Sequence, residues 1–227
     1  TPMEVLRILK GVSKHCYMLE SVENQEVWGR YTFLGYDPKL EITCMNGEMC
    51  IRESGSEEGA KEPVAHPGAK IKEILKEYTS PKVKDLPSFT GGLVGYFSYD
   101  YVKYSEPKLN LDADDQEGFK DVDLMLFDKV IAFDNLRQKI YIIANARTED
   151  LEQEYDRCLA EIEEIVDLIE HGTPAQITPG KITSEFRPLF SEQEYCAMVE
   201  KAKHYIYEGD IFQVVLSNRL EADYEGS

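Results

Sequence analysis

Apolar and polar positions alternate over much of residues 16–52, where Tyr31 and Phe33, then Leu40 and Ile42, mark strands. The Asn46-Gly47 pair between ITCM and EMCIRE predicts a two-residue hairpin turn, since both central residues of such a turn need positive φ. The stretch SGSEEGAKEP (54–63) is charged and glycine-bearing and predicts a loop. Ile71, Ile74, Leu75 and Tyr78 fall at helical spacing and predict a short helix over 68–78, packed on a sheet. Residues 88–104 set Gly91, Gly92 and Gly95 among aromatic and aliphatic residues, which predicts a buried strand with close backbone approach. A polar loop (110–118) follows, then strands at 122–133 and 138–146 joined by a turn at Asp134-Asn135. Leu151, Tyr155, Leu159, Ile162, Ile165, Val166 and Ile169 give the longest amphipathic helix (149–170), which Gly172 and Pro174 stop.

Pro174, Pro179 and Pro188 make residues 172–188 read as a linker. A second unit then opens on a capping box. Ser191 can take the amide three residues on, while Glu194 reaches back to the Ser191 amide. Tyr195, Met198, Val199, Ala202 and Ile206 form the apolar face of that helix, and Gly209 ends it. IFQVVLSNRLEA (211–222) starts as a nearly continuous apolar strand, which calls for cover on both faces. One helix and one strand cannot supply that cover, so the chain reads as one that stops inside its second domain. No internal repeat is visible.

The 227 residues allow one large domain or two modest ones, at roughly 100–200 residues each. Lys and Arg number 25 against 43 Asp and Glu, a net charge of −18, which argues against binding a phosphate backbone. A hydrophobic fraction of 42% with 9 Phe and 14 Tyr excludes general disorder. No apolar run approaches the roughly 18 residues of a membrane span, and the N-terminus lacks a signal-peptide core. The 5 cysteines form no C-x-x-C pair and read as free thiols in a reducing compartment, while the 4 histidines never sit at metal spacing. A cytoplasmic globular protein is expected.

Several motifs carry chemistry only at first sight. Asp112, Asp114 and Asp115 suggest a calcium loop, but Gly118 falls one position late and Asp123 stands where the twelfth-position Glu belongs. A solvated acidic loop fits better. The spacing of Gly91, Gly92 and Gly95 is not that of a phosphate loop, and no Lys follows. Ser98 lacks the glycines of a nucleophile elbow. Glu20-Ser21 differs: a carboxylate and a hydroxyl follow the apolar Tyr17-Met18-Leu19 and precede a strand bearing Arg30. Such a pair at a strand end can grip the ammonium and carboxylate of an amino acid, and its ordinary alternative is a solvated strand exit.

The segment MLESVENQEVWGRYTFLGYDP (18–38) resembles the opening of the anthranilate synthase component I family, which carries Leu-Leu-Glu-Ser, ten residues, then Ser. Here Met18, Leu19, Glu20 and Ser21 precede ten residues and Thr32, so Met replaces the first Leu and Thr keeps the hydroxyl. Residues 91–109, 123–135 and 208–221 match further family segments in order.

The resemblance implies an α+β fold of packed antiparallel sheets with flanking helices. Residues 1–185 would be the N-terminal regulatory domain, and 186–227 the beginning of the chorismate-binding domain. It implies a tryptophan feedback site in which Ser21 contacts the polar head, Glu20 the ammonium, and Leu19 adjoins them. The family's other tryptophan contacts come from an Asn-Pro-Ser-Pro segment that this sequence lacks. The family turns chorismate and ammonia into anthranilate and pyruvate. Mg2+ holds the substrate, and a glutamine amidotransferase subunit supplies the ammonia. The magnesium and acid–base motifs are absent, so no catalytic residue and no metal ligand is assigned and the chain alone is expected to be inactive. Gln213 falls on a segment resembling part of the catalytic domain. Two alternatives stand beside this reading. One is the aminodeoxychorismate synthase large subunit, although Trp28-Gly29-Arg30-Tyr31 and Glu106-Pro107 look more like the anthranilate branch. The other is a free-standing amino-acid-binding module.

Overall fold

The computed structural model describes residues 1–21, 29–109, 111, 115 and 117–226. The chain divides into two compact units, Thr1–Ala175 and Gln176–Ser227. The larger unit opens with α1 (Pro2–Val12), where the Thr1 hydroxyl accepts the Glu4 amide at 3.3 Å and Pro2 occupies the first turn, which needs no N–H. Strands β1 (Cys16–Leu19), β2 (Tyr31–Tyr36), β3 (Leu40–Met45), β4 (Glu48–Glu53) and β5 (Ala60–Pro63) follow, then α2 (Pro67–Glu77). After β6 (Gly92–Phe97) and a 3-10 helix (Tyr99–Tyr104) come β7 (Val122–Phe127), β8 (Lys129–Asp134), β9 (Lys139–Ala144) and α3 (Leu151–His171).

These strands form two antiparallel sheets, ordered β1-β2-β8-β9 and β5-β4-β3-β7-β6. The fold is therefore α+β with flanking helices. Helices α1 and α3 cover one face of the four-stranded sheet, burying Val5, Leu9 and Ile165 against Leu34, Tyr36 and Ile131. Helix α2 covers the five-stranded sheet, with Ile71 against Ile42, Cys44, Met49 and Val122, and Tyr101 and Tyr104 of the 3-10 helix at the border. The chain crosses between the sheets twice, at residues 37–39 and at Asp128.

The hairpin at Asn46-Gly47 forms with φ of 49° and 81°, as its turn type requires. The run read as one strand over 122–133 is broken at Asp128: Phe127 pairs with Gly92 in one sheet and Lys129 with Ala144 in the other. The last four residues of the loop expected at 54–63 are also otherwise, forming β5. Lys61 and Glu62 pair with Cys50 and Met49 in β5, a polar edge strand whose charges suit an exposed border. Strand β6 is an edge strand and its second half is exposed rather than buried, although the expected close approach is real. A Cβ on Gly95, at φ 153°, would overlap the Asp123 carbonyl oxygen.

The smaller unit holds α4 (Glu192–Glu208). Around it, β10 (Lys181–Ile182) pairs with β13 (Tyr224–Glu225), and β11 (Arg187–Pro188) with β12 (Leu220–Glu221). The linker reading of 172–188 thus fails from Lys181 onward. The capping box at Ser191 and Glu194 forms on both sides, and Gly209 closes the helix at φ 83°. The strand expected at 211–217 does not form: the segment pairs with no strand among the described residues, and Phe212 is 91% and Val215 79% exposed. A continuous apolar run calls for strand partners, and no described strand pairs with it, although the Tyr195 hydroxyl donates to the Leu216 carbonyl at 3.2 Å. Hydrogen exchange is expected to find the amides of 211–217 nearly as fast as in an unfolded chain while those of Val122–Phe127 are strongly protected. Comparable protection of the two segments in a monomer would refute this.

Candidate functional site

The residues singled out by chemistry and resemblance lie at the exit of β1. Along that strand Cys16 and Met18 pack toward the helix-covered core, so Tyr17 and Leu19 occupy the opposite face. Leu19 pairs in register with Phe33 of β2 and is 47% exposed. Glu20 and Ser21 follow immediately and are exposed. Residues 22–28, including Trp28 and most of the ten-residue spacer, lie outside the described residues, as do Asp112 and Asp114 of the acidic loop. Thr32 is buried and its hydroxyl accepts from the Asn135 side-chain amide at 3.2 Å. Gln213 belongs to the smaller unit, exposed in its unpaired segment.

The face carrying Leu19 is aromatic. Phe33 meets Phe89 edge-on at 5.6 Å and Tyr31 at 5.7 Å, and Tyr17 meets Phe127 at 4.7 Å. Phe127 is buried, whereas Tyr31, Phe33 and Phe89 are half-buried and offer apolar area to a flat ligand. Beside them lies an arrangement that sequence reasoning missed. Arg30 donates through Nε and Nη2 to both carboxylate oxygens of Asp134, at 3.1 and 2.6 Å. Its guanidinium also stands 4.8 Å from the Tyr31 ring centre. Asp134 accepts two more bonds from the amides of Leu136 and Arg137. Donation by Arg30, assisted by those amides, outweighs burial and holds the Asp134 carboxyl at about 2. The backbone takes part as well, since the Asn135 amide donates to the Arg30 carbonyl at 2.8 Å. The return of the chain at Arg30 is thereby tied to the β8–β9 turn. The only sequence signal was an Asp before a turn.

Two cavities lie elsewhere. One of about 330 Å³ sits at the crossings between the sheets, and one of about 580 Å³ over Glu41, Cys50 and Arg52. Two buried hydroxyls, of Tyr17 and Ser98, find no partner among the described residues. Burial pushes the Tyr17 phenol well above its ordinary range. Among the described residues no group of three or more His, Cys, Asp or Glu side chains gathers to hold a metal ion. The 5 cysteines are free. No described helix is long and apolar enough to cross a membrane.

The sequence profile of the chorismate binding enzyme family matches residues 14–227. The chain belongs to that family. Anthranilate synthase component 1 of Acinetobacter calcoaceticus is 34% identical over 231 residues, covering 100% of this chain and 46% of that protein. The Acetivibrio thermocellus protein of the same name is 36% identical, covering 97% and 45%. The Arabidopsis thaliana chloroplastic anthranilate synthase alpha subunit 2 is 32% identical, covering 90% and 36%. This chain thus spans about half or less of these relatives' length. Among solved structures, anthranilate synthase component I of Streptococcus pneumoniae aligns with a TM-score of 0.68 at 22% identity, covering 95% of this chain and 46% of that one. That similarity establishes the fold.

Proposed function

We propose that this chain is the N-terminal part of an anthranilate synthase component I and carries part of its tryptophan feedback site. Residues 1–185 are its regulatory portion, and 186–227 open the chorismate-binding portion. The observation that carries the reading is that relatives named anthranilate synthase align across 90–100% of the chain. Within that span the Leu19-Glu20-Ser21 tripeptide falls beside an aromatic face. In this reading Glu20 faces the ligand ammonium, Ser21 its polar head, and Leu19 with the neighbouring rings the indole. The aromatic area supplies most of the binding energy and the two polar groups set orientation.

The complete enzyme would act in the cytoplasm on chorismate, with ammonia from a glutamine amidotransferase subunit. Mg2+ would act there as an electrostatic clamp on the leaving hydroxyl. The described residues assemble no site for that ion, so no catalytic step is derived on them. Calorimetry with L-tryptophan tests the pocket: Ser21→Ala is expected to weaken binding by about tenfold or more, as for loss of a hydrogen bond to a charged group. Undiminished affinity in that variant would move the site elsewhere. Chorismate turnover by this chain alone would overturn the division of labour between the two portions.

A further inference from the structure

Asn46 is the only asparagine of this sequence that precedes a glycine, and it stands exposed at the tip of the β3–β4 hairpin. An Asn-Gly peptide carries its own modification chemistry. The Gly47 nitrogen can attack the Asn46 side-chain carbonyl carbon, forming a C–N bond while the side-chain nitrogen leaves as ammonia with the Gly47 proton. The resulting succinimide takes up water from solvent and opens at either carbonyl, giving aspartate or isoaspartate at position 46. Gly47 has no Cβ to hinder its nitrogen.

The folded hairpin withholds that nitrogen. The Gly47 amide donates to the Tyr104 hydroxyl at 2.7 Å, and the Gly47 carbonyl accepts the Val64 amide at 2.7 Å. Asn46 is held apart from it. Its side-chain oxygen accepts from Lys103 Nζ at 3.0 Å, and its backbone amide donates to Asp121 at 2.7 Å. Attack requires the 46–47 peptide to turn until its nitrogen faces the side-chain carbon, and that turn breaks the Gly47–Tyr104 bond. Tyr104 offers no base in compensation. Burial and its bond to Asp121 push the phenol far above its ordinary range, so it stays protonated and leaves the Gly47 proton in place.

We propose that Asn46-Gly47 is a latent deamidation site and that Tyr104 is the latch that keeps it unreactive in the folded chain. The two products differ in consequence. Aspartate preserves the two-residue turn. Isoaspartate routes the backbone through an extra carbon, so the amides at 46 and 47 no longer reach Asp121 and Tyr104 together, and a tip opened in this way does not close again. This assignment does not depend on the Leu19-Glu20-Ser21 reading.

The test incubates the purified chain in neutral buffer, with and without urea, and follows position 46 by mass-spectrometric peptide mapping. The folded chain is expected to deamidate at least about a hundredfold more slowly than the unfolded one, as the breaking of two hydrogen bonds implies. Tyr104→Phe removes the hydroxyl alone and should speed the folded reaction about tenfold. Urea melts give the unfolded fraction of each protein, and that fraction multiplied by the unfolded rate is the share owed to global unfolding. Hydrogen exchange supplies a check without any variant. Protection of the Gly47 amide should match the slowing of deamidation to within about tenfold, since both require the same bond to open. The proposal is overturned if the folded chain deamidates as fast as the unfolded one, or if the gain in Tyr104→Phe is no more than global unfolding supplies. It is equally overturned if the Gly47 amide exchanges freely while Asn46 stays intact.

Discussion

Gly95→Ala is expected to lower stability by about 3 kcal/mol or more and to detach β6 from β7. Gly95 sits in register with Leu124 at φ 153°, and an added methyl would overlap the Asp123 carbonyl oxygen and crowd the Leu124 backbone. Neither obstacle is a side chain that can swing away. The strain of the backbone and the clash therefore add. Gly55→Ala is the control: Gly55 also has positive φ, 77°, but open space around it, so only the backbone cost of about 1 kcal/mol is expected. Urea melts followed by circular dichroism measure both. A Gly95 variant no worse than the Gly55 variant would show that β6 does not need its close approach.

The second large effect is expected at Asp121. This buried carboxylate accepts the Tyr104 hydroxyl and the Asn46 amide, each at 2.7 Å, and pairs with Lys103 at 2.7 Å. The Tyr104 oxygen in turn accepts the Gly47 amide at 2.7 Å. The tip of the β3–β4 hairpin is thus held to the 3-10 helix through one residue. Asp121→Ala strands an ammonium, a phenol and an amide together and is expected to cost about 3 kcal/mol. The pH dependence follows from the same contacts. Burial pushes the Asp121 carboxyl up, but donation by Lys103, Tyr104 and Asn46 outweighs it and leaves the group below the usual carboxylate range. Its contribution is therefore fully present above the unfolded value, about 4, and is lost as pH falls through the depressed folded value. Asp121→Asn should flatten the fall in stability between pH 5 and pH 2, roughly the window in which a depressed carboxylate titrates. Parallel acid limbs for parent and variant would remove Asp121 from this account.

Local signals carried much of the fold. Helices α2, α3 and α4 and the Asn46-Gly47 hairpin were legible because caps, spacing and turn chemistry act within a few residues. Helix α1 was passed over although Thr1, Pro2, Val5, Ile8 and Leu9 spell a capped amphipathic helix. Strand β5 was missed because Ala60–Pro63 is a polar edge with no alternation to read. The break at Asp128 was invisible since both halves of 122–134 are apolar and only tertiary pairing separates them. At the candidate site, chemistry alone made Glu20-Ser21 a weak lead, and resemblance made it specific. The Arg30–Asp134 pair spans 104 positions of sequence, a distance over which no local pattern speaks.

The two crossings between the sheets bear on how the chain is made. Strand β2 finds β8, and β3 finds β7, only across about 80–100 intervening residues. During synthesis from the N-terminus, the hairpin β3–β4 can close at once, but the five-stranded sheet lacks β7 until Phe127, and the four-stranded sheet lacks β8 until Asp134, has left the ribosome. Until then Leu34 and Ile42, both wholly enclosed in the finished protein, face water or whatever chaperone meets them. Nascent chains stalled before Val122 should accordingly be protease-sensitive throughout, and those stalled well past Ala144 should turn resistant in a single step.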